Sequence, residues 1–398
     1  MGINIKLYHS STEDIPWDDW EQVRRSAQDG MVIGMEPDFL AIIERTMGDC
    51  SKIWYALIYD DNQQPVAVAV LTTLTVDLAI MAGKGIQRTV NALRKIKSSL
   101  MKVTIMFVGI PVSIGQKGML FVPGADQEAI LAELDKVVVR LGKQEKAPFA
   151  CYKEHIAEEL DELQPLLKLG YLRQDSLDMH VFNERFSSFE DYLSNLSSHR
   201  RHDVKRSLRK VEKAGVEIKR YTSAEDICRL YTTEIHAMYN AVVDQSDNKF
   251  EILPREFFLD LASSFAGKVA LTCLVQNEKI LAYNWSLNLH DHYHFMFCGN
   301  DYSLNNKLDL YFNLMYAELD YAFKSGASEI HVGQTAPHFK MRMGCVQLPL
   351  YLYIKGTGVI SNLIIKLAGG ALFPKRQDME PADIYNSKYK AKQQQVPN

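Results

Sequence analysis

The strongest constraint in this sequence is the order of apolar runs in its second half. Val269 to Val275, Ile280 to Leu289 and His292 to Cys298 each have strand length, and only short turns separate them. Asn277 and Glu278 make the first turn. A helix is predicted over 306–325, because Leu308, Tyr311, Phe312, Met315, Leu319 and Ala322 recur at three or four residues, and Gly326 stops it. Ser328 to Val332 then reads as a strand, and Leu348 to Ile354 as another. An antiparallel meander followed by a crossover helix returns a strand parallel to its predecessor. That pattern specifies an α/β domain with a mixed sheet flanked by helices.

The first half has the same outline. Ile53 to Tyr59 and Val66 to Leu74 are strand-like around a polar turn at Asp60 to Gln64, and Lys102 to Val108 and Gly118 to Val122 follow. A helix opens after Pro123-Gly124 with Ile130, Leu134, Val137 or Val138 and Leu141 on one face, and Ala147 to Tyr152 is the next strand. A chain of 398 residues exceeds one ordinary core, so the reading is a tandem duplication. Its expected parts are residues 1–180, residues 181–355 with the cleft, and 356–398 as a helix and polar tail. In the second half, Val216 to Arg220 reads as a strand, 224–240 as one helix, and 254–265 as a helix opened by Pro254.

Two stretches carry a family resemblance. One is Ser198-His199-Arg200-Arg201-His202-Asp203-Val204-Lys205-Arg206-Ser207-Leu208-Arg209-Lys210, ending at Ala214-Gly215. The other is Gly326, then Ile330-His331-Val332-Gly333, then Lys340, Met343 and Gly344. With the strand order, they resemble a tandem form of the GNAT-type N-acetyltransferase fold, as in the Fem-type peptidoglycan aminoacyltransferases and FemAB-like bacterial acyltransferases. The resemblance covers 185–355 by motif and 1–180 by topology. It implies two tandem GNAT-like domains and transfer of an acyl or aminoacyl group to an amine of a small molecule or amino acid. The donor would be an acyl-CoA, an acyl-carrier-protein thioester or an aminoacyl-tRNA, with no tightly bound cofactor. Acetyl-CoA enzymes of this fold carry a Gln/Arg-x-x-Gly-x-Gly/Ala turn. Here Gly299-Asn300-Asp301-Tyr302-Ser303-Leu304-Asn305-Asn306-Lys307 lacks the later glycines, which argues against simple acetyl-CoA use.

The candidate site residues follow from chemistry. Deprotonating an acceptor amine needs a base near neutral pH, and an imidazole supplies one. His331 and His338 lie about the end of a strand, where ligands of α/β sheets often bind. They are preferred to His294, and Asp244 is placed to orient an ammonium. Tyr239, Asn284, Trp285, Asn300, Gln334 and Lys340 are expected to line the substrate side, with Asn300 or backbone N–H groups at the oxyanion and Gln334 and Lys340 at a carbonyl or phosphate. Gly299, Ser303 and Asn305 at a helix start suit an anionic donor. Arg201, Lys205 and Arg209 are spaced by four and stack on one helix face, as an anion-binding stripe or as a solvated surface.

The other features exclude more than they assign. A net charge of −4 does not mark the whole surface for nucleic acid, so tRNA ranks below a small-molecule amine and a carrier protein as a partner. The alternatives are a tRNA-dependent aminoacyltransferase and a non-catalytic binding protein on the same fold. Six scattered cysteines with no paired spacing read as reduced thiols in the cytoplasm, Cys298 being the best placed for chemistry, and His292 and His294 with Asp291 do not make a metal site. The apolar stretch 358–373, with Lys366 inside it, reads either as a packed helix or as an interfacial helix at a membrane surface.

Overall fold

A computed structural model describes residues 2–11, 14–27, 32–77, 102–246, 251–373, 375–377, 379 and 382–393. The chain forms two compact units. One comprises Met1–Asp178, Asp247–Phe257 and Pro349–Gln377, and the other Met179–Ser246, Phe258–Leu348 and Asp378–Asn398. Each holds one mixed sheet flanked by helices, as the strand order predicts and as the resemblance to tandem GNAT-like α/β domains implies.

In the first unit the strands are β1 (Asn4–Tyr8), β2 (Ile53–Tyr59), β3 (Pro65–Asp77), β4 (Lys102–Val108), β5 (Met119–Phe121), β6 (Phe149–His155), β7 (Leu172–Asp175) and β15 (Tyr351–Gly356). The sheet order is β1-β2-β3-β4-β6-β15-β7, and β5 pairs with β3. All seven residues of β2 are buried, the signature of a strand covered on both faces. The helix Gln127–Gln144 carries the chain from the meander to β6, which pairs parallel with β4.

The second unit repeats that plan with β8 (Met179–Phe182), β9 (Glu217–Tyr221), β10 (Val269–Gln276), β11 (Lys279–Leu289), β12 (His292–Asn300), β13 (Glu329–Gly333) and β14 (Val346–Leu348), in the order β14-β8-β13-β12-β11-β10-β9. The β10–β11 turn, Asn277-Glu278, and the β11–β12 turn, His290-Asp291, each place two consecutive non-glycine residues at positive φ, the backbone of a tight two-residue hairpin. One sheet face packs on helices Ser198–Lys213 and Leu310–Ser325 through Val204, Val211, Leu314 and Leu319. Aromatic rings cover the other: Tyr231 lies 4.9 Å from Trp285, and Phe258 lies 5.4 Å from both Trp285 and Phe297.

Three expected elements divide. The helix over 224–240 is two helices, Ala224–Leu230 and Thr233–Gln245. Thr232 caps the second through its side chain, and Tyr231 leaves the helical path to pack edge-to-face against Trp285 and meet the Tyr283 hydroxyl at 3.2 Å. The helix over 306–325 starts earlier, as Tyr302–Leu308, and restarts as Leu310–Ser325 after Asp309 takes a left-handed conformation. The strand expected from Leu348 to Ile354 is two strands in different sheets, β14 and β15, because Pro349 between them has no N–H to give a ladder.

Candidate functional site

The feature that opens a site in the second unit is the end of the β12–β13 ladder. The two strands pair in parallel at His292↔Glu329, Tyr293↔Ile330 and His294↔His331. Past His294, β12 stays with β11 as far as Ala282↔Asn300, while β13 stays with β8 at Gly333↔His180 after a register shift. The strands therefore part beyond His294 and His331. Gly333 has φ +88, in the left-handed region that favours glycine. Its carbonyl oxygen lies 3.2 Å from His180 Nδ1.

Lys340 reaches this parting. It comes from the short helix Pro337–Met343, which starts after Ala336 at positive φ and ends at Gly344. A Cβ placed on Gly333 would lie 3.4 Å from Lys340 Nζ and 3.7 Å from the Phe295 carbonyl oxygen. Lys340 is 2% exposed, and no carboxylate pairs with it among the described residues. Burial lowers its ammonium to about 8, because the charged form loses its water, with the neighbouring Cys345 and Cys298 opposing the shift weakly. Burial in turn raises the Cys298 thiol to about 11 and the Cys345 thiol to about 12. Both thiols stay protonated at neutral pH, so Cys298 is not poised as a nucleophile. The only cation at the parting among the described residues is thus weakly held and desolvated, which is what makes a charge effective against a developing oxyanion.

At the paired end stand the histidines. His294 is buried, stacks on His331 with ring centroids 4.7 Å apart, and is pushed well below the usual imidazole range by burial, with His331 and His292 adding to the shift. His292 is lowered for the same leading reason. His331 Nε2 lies 2.9 Å from Glu329 Oε2, and His331 Nδ1 is buried without a partner. His292, Glu329 and His331 each offer a ligand atom within 4.8 Å of the others, so among the described residues they are the group that could hold a metal ion. Glu329 completes a grouping that Asp291 does not. His338 is exposed on its helix and is not part of the stack.

The remaining candidates separate by what already occupies them. Asn284 and Trp285 are buried in β11, the Asn284 side chain donating to the Trp285 carbonyl at 3.0 Å, and Trp285 Nε1 and Asn300 Oδ1 have no partner. Tyr239 is buried against Phe258, 5.1 Å away. Asp244 is exposed near the end of Thr233–Gln245, and Gln334 is half-buried directly after Gly333. Gly299 is where it is for packing: a Cβ there would come within 2.4 Å of the Tyr283 ring. The helix start beyond it is occupied by its own carboxylate. Asp301 accepts from the Ser303 backbone and hydroxyl and sits 3.3 Å from Lys279 Nζ, and Asn305 Oδ1 accepts from Tyr311 N. An anion at this start would meet a carboxylate first.

On helix Ser198–Lys213, Arg201 donates to the Leu196 carbonyl at 3.0 Å, while Lys205 and Arg209 are exposed. Asp203 lies 3.1 Å from Arg206, 3.5 Å from His199 and 3.9 Å from Arg342, so part of the positive face is neutralised locally. His180, Glu329 and Cys345 are the site neighbours that sequence reasoning missed. His180 falls in a run assigned to the first half, and no local pattern connects it to Gly333.

A FemAB-like family model, described as peptidoglycan biosynthesis/recognition, matches residues 106–351, well over half of the chain. No curated protein sequence matches the chain. A tandem GNAT protein from the clavulanic acid biosynthesis pathway superposes with a TM-score of 0.53 at 10% identity, covering 89% of this chain and 99% of that one. FemX gives 0.52 at 11%, covering 91% and 99%. The C-terminal domain of a putative lysylphosphatidylglycerol synthetase from Agrobacterium fabrum gives 0.51 at 8%, covering 89% and 97%. At these identities the likeness is one of fold alone.

Proposed function

The chain belongs to the FemAB-like family, and from that premise we propose that it transfers an acyl or aminoacyl group to an amine at the parting of β12 and β13. The observation that carries the reading is the buried, carboxylate-free ammonium of Lys340 beside Gly333 and the Phe295 carbonyl, just past the last β12–β13 pair.

In this reading the donor carbonyl lies between the strands with its oxygen toward Lys340. The acceptor amine attacks the carbonyl carbon, a tetrahedral intermediate forms, and the negative charge on its oxygen meets the lysine ammonium. Collapse expels the thiol or alcohol of the donor and leaves an amide. The amine loses one proton, and the leaving group gains one. The His294–His331 stack is the imidazole pair on the same two strands; burial disfavours a charged His294, so in this reading His331, stacked on it, accepts that proton. No side-chain nucleophile is required, in keeping with the raised Cys298 thiol. A thioester donor and a cytoplasmic setting go with this reading.

The exposed Lys205, Arg206 and Arg209 of helix Ser198–Lys213 favour a second reading of the donor, a charged tRNA, whose phosphates that face would meet. Incubating the protein with an amino-acid and amine panel, together with acyl-CoA, acyl-carrier protein or aminoacyl-tRNA, and scanning by mass spectrometry tests both. An amide product with one donor class supports the reading and names the donor. No amide with any of them counts against transfer chemistry.

A further inference from the structure

The helix Val359–Leu372 in the first unit turns large apolar side chains outward. Val359, Ile360, Leu363, Ile364 and Leu367 are 89%, 78%, 56%, 45% and 79% exposed. They occupy positions i, i+1, i+4, i+5 and i+8, which fall on one continuous stripe of a helix. The opposite side is the one that packs: Ile365 is buried with Cys151 and Ile354 of the sheet, and Ser361 is buried with its hydroxyl on Gly358. Of the large apolar side chains standing exposed among the described residues, five of nine belong to this helix. That concentration is far from the scattered exposure that is ordinary on a protein surface.

The charge around the stripe is one-signed. From Gly356 to Gln377 the sequence has no aspartate or glutamate. Lys366 is exposed at the edge of the stripe, one residue before Leu367, and Lys375 is exposed just beyond the helix. Arg376 is held apart from them by Asp178 at 2.6 Å. Fourteen residues rise about 21 Å, short of the roughly 30 Å of a bilayer's hydrocarbon. Among the described residues no helix is long and apolar enough to cross a membrane.

We propose that this helix lies in the plane of an anionic membrane surface, with its Val359–Leu367 stripe in the acyl boundary and Lys366 and Lys375 at the headgroups. An aliphatic stripe on a stretch of chain that carries lysines and no acid matches that surface, in which long basic side chains reach the headgroups from the edge of a buried face. A second copy of the chain is disfavoured as the occupant, since pairing the stripe with itself would bring Lys366 of both copies together without an acid to meet either. The inference does not depend on the transfer chemistry.

The test is co-sedimentation of the full chain with vesicles of phosphatidylcholine containing phosphatidylglycerol, and with phosphatidylcholine alone, beside analytical ultracentrifugation without lipid. Leu363→Asp/Leu367→Asp changes exposed positions only, and circular dichroism checks that the fold is kept. The expected result is binding to the anionic vesicles, reduced at least about tenfold by the double substitution and about fivefold, with a weaker salt dependence, by Lys366→Glu. Three results each overturn it: no sedimentation with either vesicle, equal binding by the double variant, or a dimer without lipid that the double variant dissociates and that does not bind vesicles.

Discussion

Lys340 Nζ lies 3.4 Å from the point where a side chain on Gly333 would begin, so a methyl there would just touch the end of the lysine. Gly333 also needs its φ of +88 to turn β13 away from β12 and toward His180. The parting of the strands thus depends on the residue that stands beside the cation. Gly333→Ala is expected to cost about 1–2 kcal/mol from the left-handed backbone alone, and it brings a methyl into contact with Lys340. Urea denaturation checks the first effect, and loss of turnover in excess of the stability loss checks the second.

Replacing Lys340 by methionine removes a charge held without a carboxylate partner. Such a group costs stability rather than adding to it, so Lys340→Met is expected to melt at or above the wild-type temperature. A fall of several degrees in a calorimetric scan would mean that the ammonium is structurally paired.

The pH dependence has a definite sign. Lys340 titrates near 8 in the folded chain, against an ordinary value of 10.5. Between those values the unfolded chain binds the extra proton, so the stability difference between wild type and Lys340→Met moves in favour of wild type as pH rises from about 8 to about 10.5. Below about 8 the full burial cost is present. Parallel urea titrations at pH 7, 9 and 10 read this directly, and a pH-independent difference would contradict the lowered lysine.

His331 stacks on His294, and His338 does not. His331→Ala is expected to lower turnover by about 10²–10⁴ if the stack takes the amine proton, and His338→Ala to leave it near wild type. Unchanged turnover in the His331/His338 double variant would remove both from the chemistry.

Gly299 is expected to tolerate no side chain. A methyl there meets the Tyr283 ring, whose hydroxyl holds Tyr231 at 3.2 Å and the Ile235 carbonyl at 3.2 Å. Gly299→Ala should cost about 1–3 kcal/mol as an overpacked core position, read by thermal unfolding.

The meander and its crossover were legible in the residues because alternation, turn length and the Gly326 stop agree on one answer. The runs ending at Val275, Leu289 and Cys298 lie within β10, β11 and β12. What failed was local competition. Thr232 is a better cap than a helix interior residue, and Tyr231 gains more from three aromatic neighbours than from continuing a helix. Asp309 breaks a pattern whose apolar period runs straight through it, and the Asn313 side chain donates to the Leu308 and Asp309 carbonyls at the break, which no spacing rule anticipates. The site was half visible: Lys340 and Gly333 stand in a recognisable stretch, but the desolvation of one and the positive φ of the other come from β8 and β12, which lie far away in sequence. Gly299, Ser303 and Asn305 read as an anion site at a helix start, but the Asp301 carboxylate already accepts from Ser303 there.

The most direct test of the central claim is the single-turnover rate of amide formation by wild type and Lys340→Met, with the donor identified by mass spectrometry. A lysine that faces the oxyanion predicts a fall of about 10²–10³ with the melting temperature unchanged or higher. A rate within about twofold of wild type, where the loss of an oxyanion partner would be far larger, would contradict it and move the chemistry away from the parting of β12 and β13.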